Sequence, residues 1–295
     1  MIAEGPPRPY SLAEGYAYCQ RLATSHYENF SVVSWLLPRP LRPHMYAVYA
    51  YCRGVDHLGD EAEGDRLALL DGWEAELRRC YEGSPQQPAF VALQETVRRF
   101  DIPTEPFRRL IEANRADQRV SRYRTYNDLL GYCENSANPV GRLVLYIFGY
   151  RDEERQMLSD ATCTALQLTN FWQDVRRDLD KGRIYIPLED MERFGYGEAD
   201  LLAGRSDGRF RDLMAFQVQR TRELFRDGLA LIPKVSGRLT LDLRLFSLGG
   251  LAVLDAIEGM GYDVLQRRPT LSRARKAWLV VRGLLPIRVR VEKAP

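Results

Sequence analysis

The sequence lacks the features that mark membrane-spanning, secreted and nucleic-acid-binding proteins. No apolar run reaches the roughly 18 residues that a membrane-spanning helix needs. The segment Met1–Pro7 has neither a positive stretch nor an apolar core, so we expect no secretory signal and a cytoplasmic protein. The formal net charge is +2 and no basic stripe is present, which argues against nucleic acid as a partner.

Cysteine is also sparse. The five cysteines are scattered, odd in number and never arranged as C-x-x-C, so neither a zinc site nor a disulfide framework is indicated. We expect them to be small buried hydrophobic residues in a reducing cytosol. No G-x-G-x-x-G motif follows a strand. This argues only weakly against an NADPH-dependent reaction, because such enzymes need not use that motif.

Strand patterns are almost absent, and helical patterns fill the chain. The only short β-like run is Ile184–Pro187, which a proline closes. Elsewhere, apolar residues recur at three- and four-residue steps between proline and glycine breaks near residues 38–40, 83–85, 102–103, 149, 204–208 and 268–269. No repeat or long linker divides the chain. We therefore predict one all-α domain over residues 1–295, with helices packed around a central cavity.

Two carboxylate pairs are the main chemical signal. Asp56 and Asp60 form one pair, Asp174 and Asp178 form the other, and Asn170 extends the second row by one turn. A four-residue step on a helix returns a side chain to the same face, where like charges repel. If the two clusters face each other, they form an oxygen-lined negative pocket suited to Mg²⁺, so we predict these five residues as magnesium ligands. The alternative is a pair of solvated helix faces.

Arginines and aromatic residues beside the acids favour a functional site. Arg53 precedes Asp56 by one turn, and Arg183 follows Asp178 closely. Their guanidinium groups suit bidentate contacts with a diphosphate, next to an apolar chamber. Glu61 could support the metal ligands indirectly, but a solvated surface position is the simpler interpretation.

The carboxyl-terminal stretch Trp278–Val291 mixes apolar residues with Arg282, Arg288 and Arg290. It could lie on an anionic membrane surface, at the inner face of the plasma membrane. Gly283 and Pro286 interrupt a long amphipathic helix, so a last helix followed by a loose basic tail from about residue 284 is the favoured interpretation.

These motifs resemble the squalene/phytoene synthase family. The resemblance runs from about His26 to about Tyr262. It rests on the two aspartate motifs at their spacing, and on these segments: Tyr132-Cys133, Val140-Gly141, Gln167-Leu168-Thr169-Asn170 and Gly182-Arg183-Ile184-Tyr185-Ile186-Pro187. It implies an isoprenoid-synthase-type helical bundle that uses Mg²⁺ to act on prenyl diphosphates.

Three further segments look like those of the bacterial hydroxysqualene synthases of hopanoid biosynthesis: His26–Phe30, Asn135–Pro139 and Phe171–Asp174. The resemblance implies that presqualene diphosphate is ionised, its cyclopropylcarbinyl cation rearranges, and water quenches the product to hydroxysqualene. It also leaves room for contacts with neighbouring pathway enzymes. The sequence departs from the family pattern at His57 and Gly59 in the first motif, and at Gln173, where many relatives have an arginine.

The resemblance also implies roles for single residues. Tyr49 and Tyr132 match family positions near the reacting carbons, and Gln167 belongs to the second motif. Aromatic faces stabilise a cation without quenching it, so these tyrosines, Phe30, Phe171 and Trp172 are candidates for the cavity wall; core packing is the alternative for each.

Polar residues are candidates for handling water and phosphate. Asn29, Tyr49, Asn138 and Gln173 could position the quenching water. His26 could donate a hydrogen bond to diphosphate or cap a helix.

Two other functions stay open. The nearest is a head-to-head synthase that condenses two prenyl diphosphates, for instance two farnesyl diphosphates, to presqualene diphosphate, squalene or phytoene. The other is a catalytically inactive relative that serves as an assembly partner, which the two intact aspartate motifs disfavour.

Overall fold

The computed structural model describes residues 9–25 and 37–284, and within them the backbone is helical apart from turns, connecting loops and one isolated bridge. The helices are α1 (Leu12–Ser25), α2 (Arg42–Asp60), α3 (Arg66–Glu82), α4 (Pro88–Phe100), α5 (Glu105–Ala116), α6 (Tyr126–Ser136), α7 (Asn138–Ile147), α8 (Glu153–Asp180), α9 (Leu188–Arg193), α10 (Glu198–Leu202), α11 (Gly208–Leu229), α12 (Arg238–Gly259) and α13 (Arg273–Leu284). Short 3₁₀ turns occupy Arg39–Leu41 and Ile232–Lys234. The prediction of an all-α protein is confirmed.

Four helices, α3, α4, α7 and α10, end at breaks that proline and glycine predicted. Gly83 ends α3 with a left-handed φ of 102°, which a residue without a side chain adopts at little cost. The β-like run forms a single bridge between Arg122 and Ile184, in which the Ile184 N–H donates to the Ser121 carbonyl at 2.9 Å. Across residues 9–25 and 37–284, no helix has both the length and the hydropathy that crossing a bilayer requires.

Contacts along the backbone divide the chain into two compact units. The first comprises the residues up to Arg119 together with Arg142–Arg151, and the second comprises Val120–Gly141 and the residues from Asp152 onward. The prediction of a single domain with a central cavity stays a prediction.

In the first unit, small side chains allow α1, α2 and α4 to pack closely. The buried residues of this contact are Cys19, Ala47, Ala50, Ala89 and Ala92. On the next turns of α2, Tyr51 packs edge-on against Phe107 of α5 at a ring-centroid distance of 4.9 Å. The Tyr51 hydroxyl also donates to the Phe107 carbonyl at 2.9 Å. These contacts fix the half of α2 that carries Asp56 and Asp60.

In the second unit, the long helix α8 packs against α11, α12 and α6. Its first turn is capped by Asp152, whose carboxylate accepts from the Arg155 N–H at 3.1 Å. Further along, Trp172 is fully buried and its indole N–H donates to the Thr221 hydroxyl of α11 at 2.8 Å. This bond fixes the rotation of α8 around its axis at the second acid pair.

Candidate active site

The first acid pair lies on one face of α2 together with two other predicted site residues. Tyr49, Arg53, Asp56 and Asp60 follow steps of four, three and four residues, so their side chains leave the helix in the same direction. Asp60 is the last helical residue, where the helix dipole is negative and disfavours carboxylates. The two carboxylates therefore repel each other, and the charge of Arg53 on the same face offsets part of that repulsion.

Asn114 of α5 contacts the first acid pair. Its side chain hydrogen-bonds to Asp56, and its Nδ2 donates to the Leu110 carbonyl at 3.0 Å. A Cβ at Gly59 would lie 2.1 Å from Asn114 Oδ1, so only glycine lets the amide approach α2. Gln118 reinforces the contact, because its Nε2 donates to the Gly59 carbonyl at 2.9 Å. The glycine that departs from the family pattern thus has a local structural reason.

The pKa of the Asp56 carboxyl is raised to about 6. Desolvation by the surrounding protein is the largest cause, and the charges of Asp60 and Asp117 add to it. The hydrogen bond from Asn114 and the charge of Arg53 act in the opposite direction. Asp56 as a whole residue is exposed, so a ligand can approach it from solvent.

Arg53 is already engaged by an acid on its own helix end. Its Nη2 donates to both carboxylate oxygens of Glu61, at 2.8 and 3.0 Å. His57 Nδ1 lies 3.0 Å from the same carboxylate, and these contacts lower the pKa of Glu61. Glu61 is thus solvent-exposed, as the simpler interpretation expected, but it also holds Arg53. Nη2 of Arg53 therefore already has a carboxylate partner in the structure.

The second acid pair lies on α8, and Asp174 has an unusual setting. Its φ and ψ of −108° and 15° are not helical, so α8 is kinked there. Arg268, on the segment between α12 and α13, donates from Nε to Oδ1 at 2.6 Å and from Nη2 to Oδ2 at 2.9 Å. Arg177 Nη1 lies 3.5 Å from Oδ1. Asp174 therefore already has a bidentate cationic partner.

The neighbouring Gln173 binds the same segment, because its Nε2 donates to the Pro269 carbonyl at 2.7 Å. Arg268 and Pro269 thus contact two consecutive residues of the second aspartate motif. No local sequence pattern indicates this contact, since the partners are 94 and 96 residues apart.

Asp178 lies in the last turn of α8, and it lines a small cavity in the second unit together with Arg183 and Phe171. Val175 and Tyr185 also line this cavity. The structure therefore brings Asp178 and Arg183 together with two aromatic rings, although the sequence analysis quoted these residues in separate segments.

Aromatic rings cluster beside this cavity. Phe171 stacks on Tyr185 with ring centroids 3.8 Å apart and an interplanar angle of 6°. Tyr132 contacts both rings, at 6.1 Å from Phe171 and 5.9 Å from Tyr185. Tyr123 extends the cluster, stacked on Tyr185 at 5.7 Å. Trp172 points into the core instead, which favours its packing role.

The remaining predicted site residues differ in burial and in hydrogen bonding. Asn138 is buried and its Oδ1 accepts from the Thr164 hydroxyl at 2.9 Å, while Asn170 is exposed and Gln167 is half-buried. Burial raises the pKa of the half-buried Tyr49. His26, Asn29 and Phe30 lie outside the described residues.

The structure adds residues that sequence reasoning missed. They are Asn114, Asp117 and Gln118 beside the first pair, and Arg268, Tyr123 and Tyr185 beside the second. Tyr185 belongs to a quoted motif, so its position there was the only available signal. The others act through contacts that local spacing does not encode.

Comparison with known proteins identifies the family. The model of the squalene/phytoene synthase family matches residues 23–275. The chain belongs to this family. It is 33% identical to phytoene synthase of Arthrospira platensis, covering 96% of each chain. It is 33% identical to 15-cis-phytoene synthase of Synechococcus elongatus, covering 94% of each.

Solved structures agree with this assignment. The crystal structure of squalene synthase HpnC from Alicyclobacillus acidocaldarius shares 54% identity with a TM-score of 0.83, covering 86% of this chain and 97% of that one. A dehydrosqualene synthase shares 26% identity with a TM-score of 0.84, covering 92% and 96%. The chain is therefore an enzyme of a family that transfers prenyl groups head to head, acts on prenyl diphosphates and uses a divalent metal.

The donor set fits a hard divalent cation. Each unit offers two carboxylates at four-residue spacing, and Asn170 offers an exposed amide. Within the described part of the chain, no cluster of three or more acidic, histidine or cysteine side chains is gathered tightly enough to hold a metal. Two carboxylates are fewer than the ligands of an octahedral Mg²⁺, so a Mg²⁺ held by either pair would also need water and phosphate oxygens.

Proposed function

We propose that this enzyme converts presqualene diphosphate to hydroxysqualene with release of diphosphate, in hopanoid and squalene biosynthesis. The observation that carries the proposal is the 54% identity to a structure named squalene synthase, against 33% identity to the phytoene synthases. This difference favours a triterpene over a tetraterpene product. The subgroup segments His26–Phe30, Asn135–Pro139 and Phe171–Asp174 support water as the quenching group.

The acid pairs and arginines are proposed to drive diphosphate release. Asp56 and Asp60 in the first unit, and Asp174 and Asp178 in the second, are the proposed Mg²⁺ ligands, with Asn170 as an additional oxygen donor. Bound Mg²⁺ would supply positive charge against the charge that develops on the leaving group.

Arg53 and Arg183 are proposed to hold the diphosphate through their guanidinium forks. Nη2 of Arg53 would exchange its Glu61 carboxylate for a phosphate oxygen. Since Glu61 is half-exposed, water can solvate it after that exchange, so the loss of the pair is small.

The cation that remains needs a wall that stabilises it without reacting. We propose Phe171, which stacks on Tyr185, and Tyr132, which is tilted beside both rings, for this wall in the second unit. We propose Tyr49 for the same role in the first unit. Gln173 and Asn138 stay candidates for positioning water, although both already have a partner in the structure.

Product analysis tests the proposal. Presqualene diphosphate and Mg²⁺ are supplied in water labelled with heavy oxygen, with and without NADPH. We expect a labelled triterpene alcohol in both cases, and none in excess chelator. Squalene that appears only with NADPH would mean a reductive enzyme and would contradict the proposal.

The second candidate is a synthase that condenses two prenyl diphosphates. It is favoured by the relatives named phytoene synthases, which cover nearly the whole chain. Incubation with farnesyl diphosphate alone separates the two, because the condensing enzyme makes product from it and the proposed one does not.

A further inference from the structure

Helix α13 exposes an apolar stripe. Trp278, Val281 and Leu284 keep 45%, 60% and 63% of their surface exposed. Ala274 and Ala277, also exposed, continue the stripe at three- and four-residue steps. An apolar row of this kind on a surface helix indicates a binding face when a second feature says what covers it.

The opposite face of α13 is anchored to the protein. Leu279 is buried against Leu248 and Ala252 of α12. A Cβ at Gly283 would lie 2.6 Å from Leu245 Cδ2, so glycine allows the two helices to approach. The helix therefore runs through Gly283, which the sequence analysis took as an interruption, and its apolar stripe is held facing outward.

Positive charge borders the stripe. The helix contains Arg273, Arg275, Lys276 and Arg282 and no acidic residue. The guanidinium carbons of Arg275 and Arg282 lie 4.9 and 5.0 Å from the Trp278 ring centroid, so the indole lies beside two cations. The wider segment from residue 264 to residue 291 contains eight arginines and lysines and no aspartate or glutamate.

One acid on the neighbouring helix offsets part of this charge. Asp255 of α12 lies 3.5 Å from Arg275 Nη2. It also forms a shorter contact with Arg222, at 2.9 Å, so its charge is shared between two arginines. The face of α13 therefore keeps an excess of positive charge.

We propose that α13 docks on the surface of an anionic lipid bilayer. Anionic headgroups match the arginines, and the region of the acyl chains just below them accommodates Trp278, Val281 and Leu284. An acidic peptide or nucleic acid would satisfy the charges but leave the apolar stripe in water. A second copy of the chain packed through this face would bring like charges together.

Vesicle sedimentation tests the proposal. The full-length protein is mixed with vesicles of phosphatidylcholine, with or without phosphatidylglycerol. We expect binding only to the anionic vesicles, and weakening by added salt. The variant Trp278→Ser/Val281→Ser should bind at least about tenfold more weakly, because it removes the buried apolar contact. The variant Arg275→Gln/Arg282→Gln should lose a similar amount because it removes the charge.

Matched substitutions elsewhere in the second unit serve as controls. Met157 and Leu202 are 61% and 59% exposed, so Met157→Ser/Leu202→Ser removes comparable apolar surface outside α13. Arg211→Gln/Arg226→Gln removes two exposed charges from α11. Both controls should bind vesicles as the wild type does. Equal binding by the α13 variants and these controls would overturn the proposal.

Tryptophan fluorescence gives an independent measurement. Anionic vesicles should shift the emission of Trp278 to shorter wavelength, and brominated lipids should quench it, whereas Trp278→Phe should lose both responses. Self-association in the absence of lipid that disappears in Trp278→Ser/Val281→Ser would assign the face to a second copy instead. Binding to heparin as tight as to vesicles, with no effect of Trp278, would assign it to a general polyanion. None of these measurements needs turnover, so they are independent of the proposed function.

Discussion

Removing the Arg268 guanidinium should change the affinity with which the metal-free enzyme binds added Mg²⁺. Arg268 occupies both oxygens of Asp174, a proposed Mg²⁺ ligand. A divalent cation that approaches this carboxylate meets the repulsion of the guanidinium, so the pair must loosen first. We therefore expect Arg268→Gln to bind Mg²⁺ more tightly than the wild type.

The magnitude follows from the exposure of the pair. The side chains of Arg268 and Asp174 are 36% and 22% exposed, so solvent screens their attraction in part. A bidentate pair at this exposure contributes about 1 to 1.4 kcal/mol, between an exposed ion pair and a buried one. Since about 1.4 kcal/mol equals a tenfold change in affinity, Mg²⁺ should bind roughly five- to tenfold more tightly.

The assay is calorimetric titration of the apo-protein with Mg²⁺, repeated with Mn²⁺ followed by electron paramagnetic resonance. Arg267→Gln is the matched control, because it removes the adjacent, exposed arginine and should leave the affinity unchanged. In an Asp174→Asn background, Arg268→Gln should have little further effect. Weaker Mg²⁺ binding in Arg268→Gln would refute the reasoning, since it would mean that the arginine orients the ligand rather than competing with the metal.

Three further predictions concern the first unit. Mg²⁺ affinity should fall below about pH 6, because the Asp56 carboxyl, whose pKa is raised to about 6, is protonated there. In the metal-free protein, the stability that Asp56 contributes is fully present below its usual pKa and is lost as the pH rises through about 6. Measuring the free energy of unfolding at a series of pH values checks this. Gly59→Ala should lower the free energy of unfolding by about 1 to 3 kcal/mol, because the new Cβ overlaps Asn114. Gly72→Ala on α3 is the control: its new Cβ meets nothing within 4 Å, so it should raise the free energy of unfolding by about 0.5 to 1 kcal/mol. Tyr49→Phe should alter the ratio of alcohol to other products more than the rate of diphosphate release, because a wall residue acts after ionisation; equal effects on both would contradict that role.

The sequence was sufficient for the helices and for the acid pairs. Apolar residues at three- and four-residue steps predicted the helical segments, and four-residue spacing placed Asp56 with Asp60 on α2 and Asp174 with Asp178 on α8. Both signals are local, since they depend on the geometry of one helix. The departure of Asp174 from helical φ and ψ could not be predicted, because no proline or glycine marks it.

The contacts that stabilise the acidic residues could not be predicted from the sequence, for a different reason. Asn114 reaches Asp56 from another helix, and Arg268 reaches Asp174 across 94 residues of sequence. An asparagine in an amphipathic helix and an arginine before a proline are common, so neither residue stands out in one sequence. Arg53 shows the reverse case: its position beside the acids was predicted correctly, but its bond to Glu61 became visible only in the structure.

These contacts also explain how the protein tolerates its acid pairs without a metal. Asp60 ends α2 and Asp178 lies in the last turn of α8, so both carboxylates occupy the end of a helix where the dipole repels them. Each pair adds its own internal repulsion. Asn114 offsets this at the first pair by donating to Asp56, and Arg268 offsets it at the second by neutralising Asp174. The two pairs are stabilised differently, by a neutral donor and by a cation. Metal binding should therefore displace protons from the first pair at low pH and displace an arginine from the second at any pH.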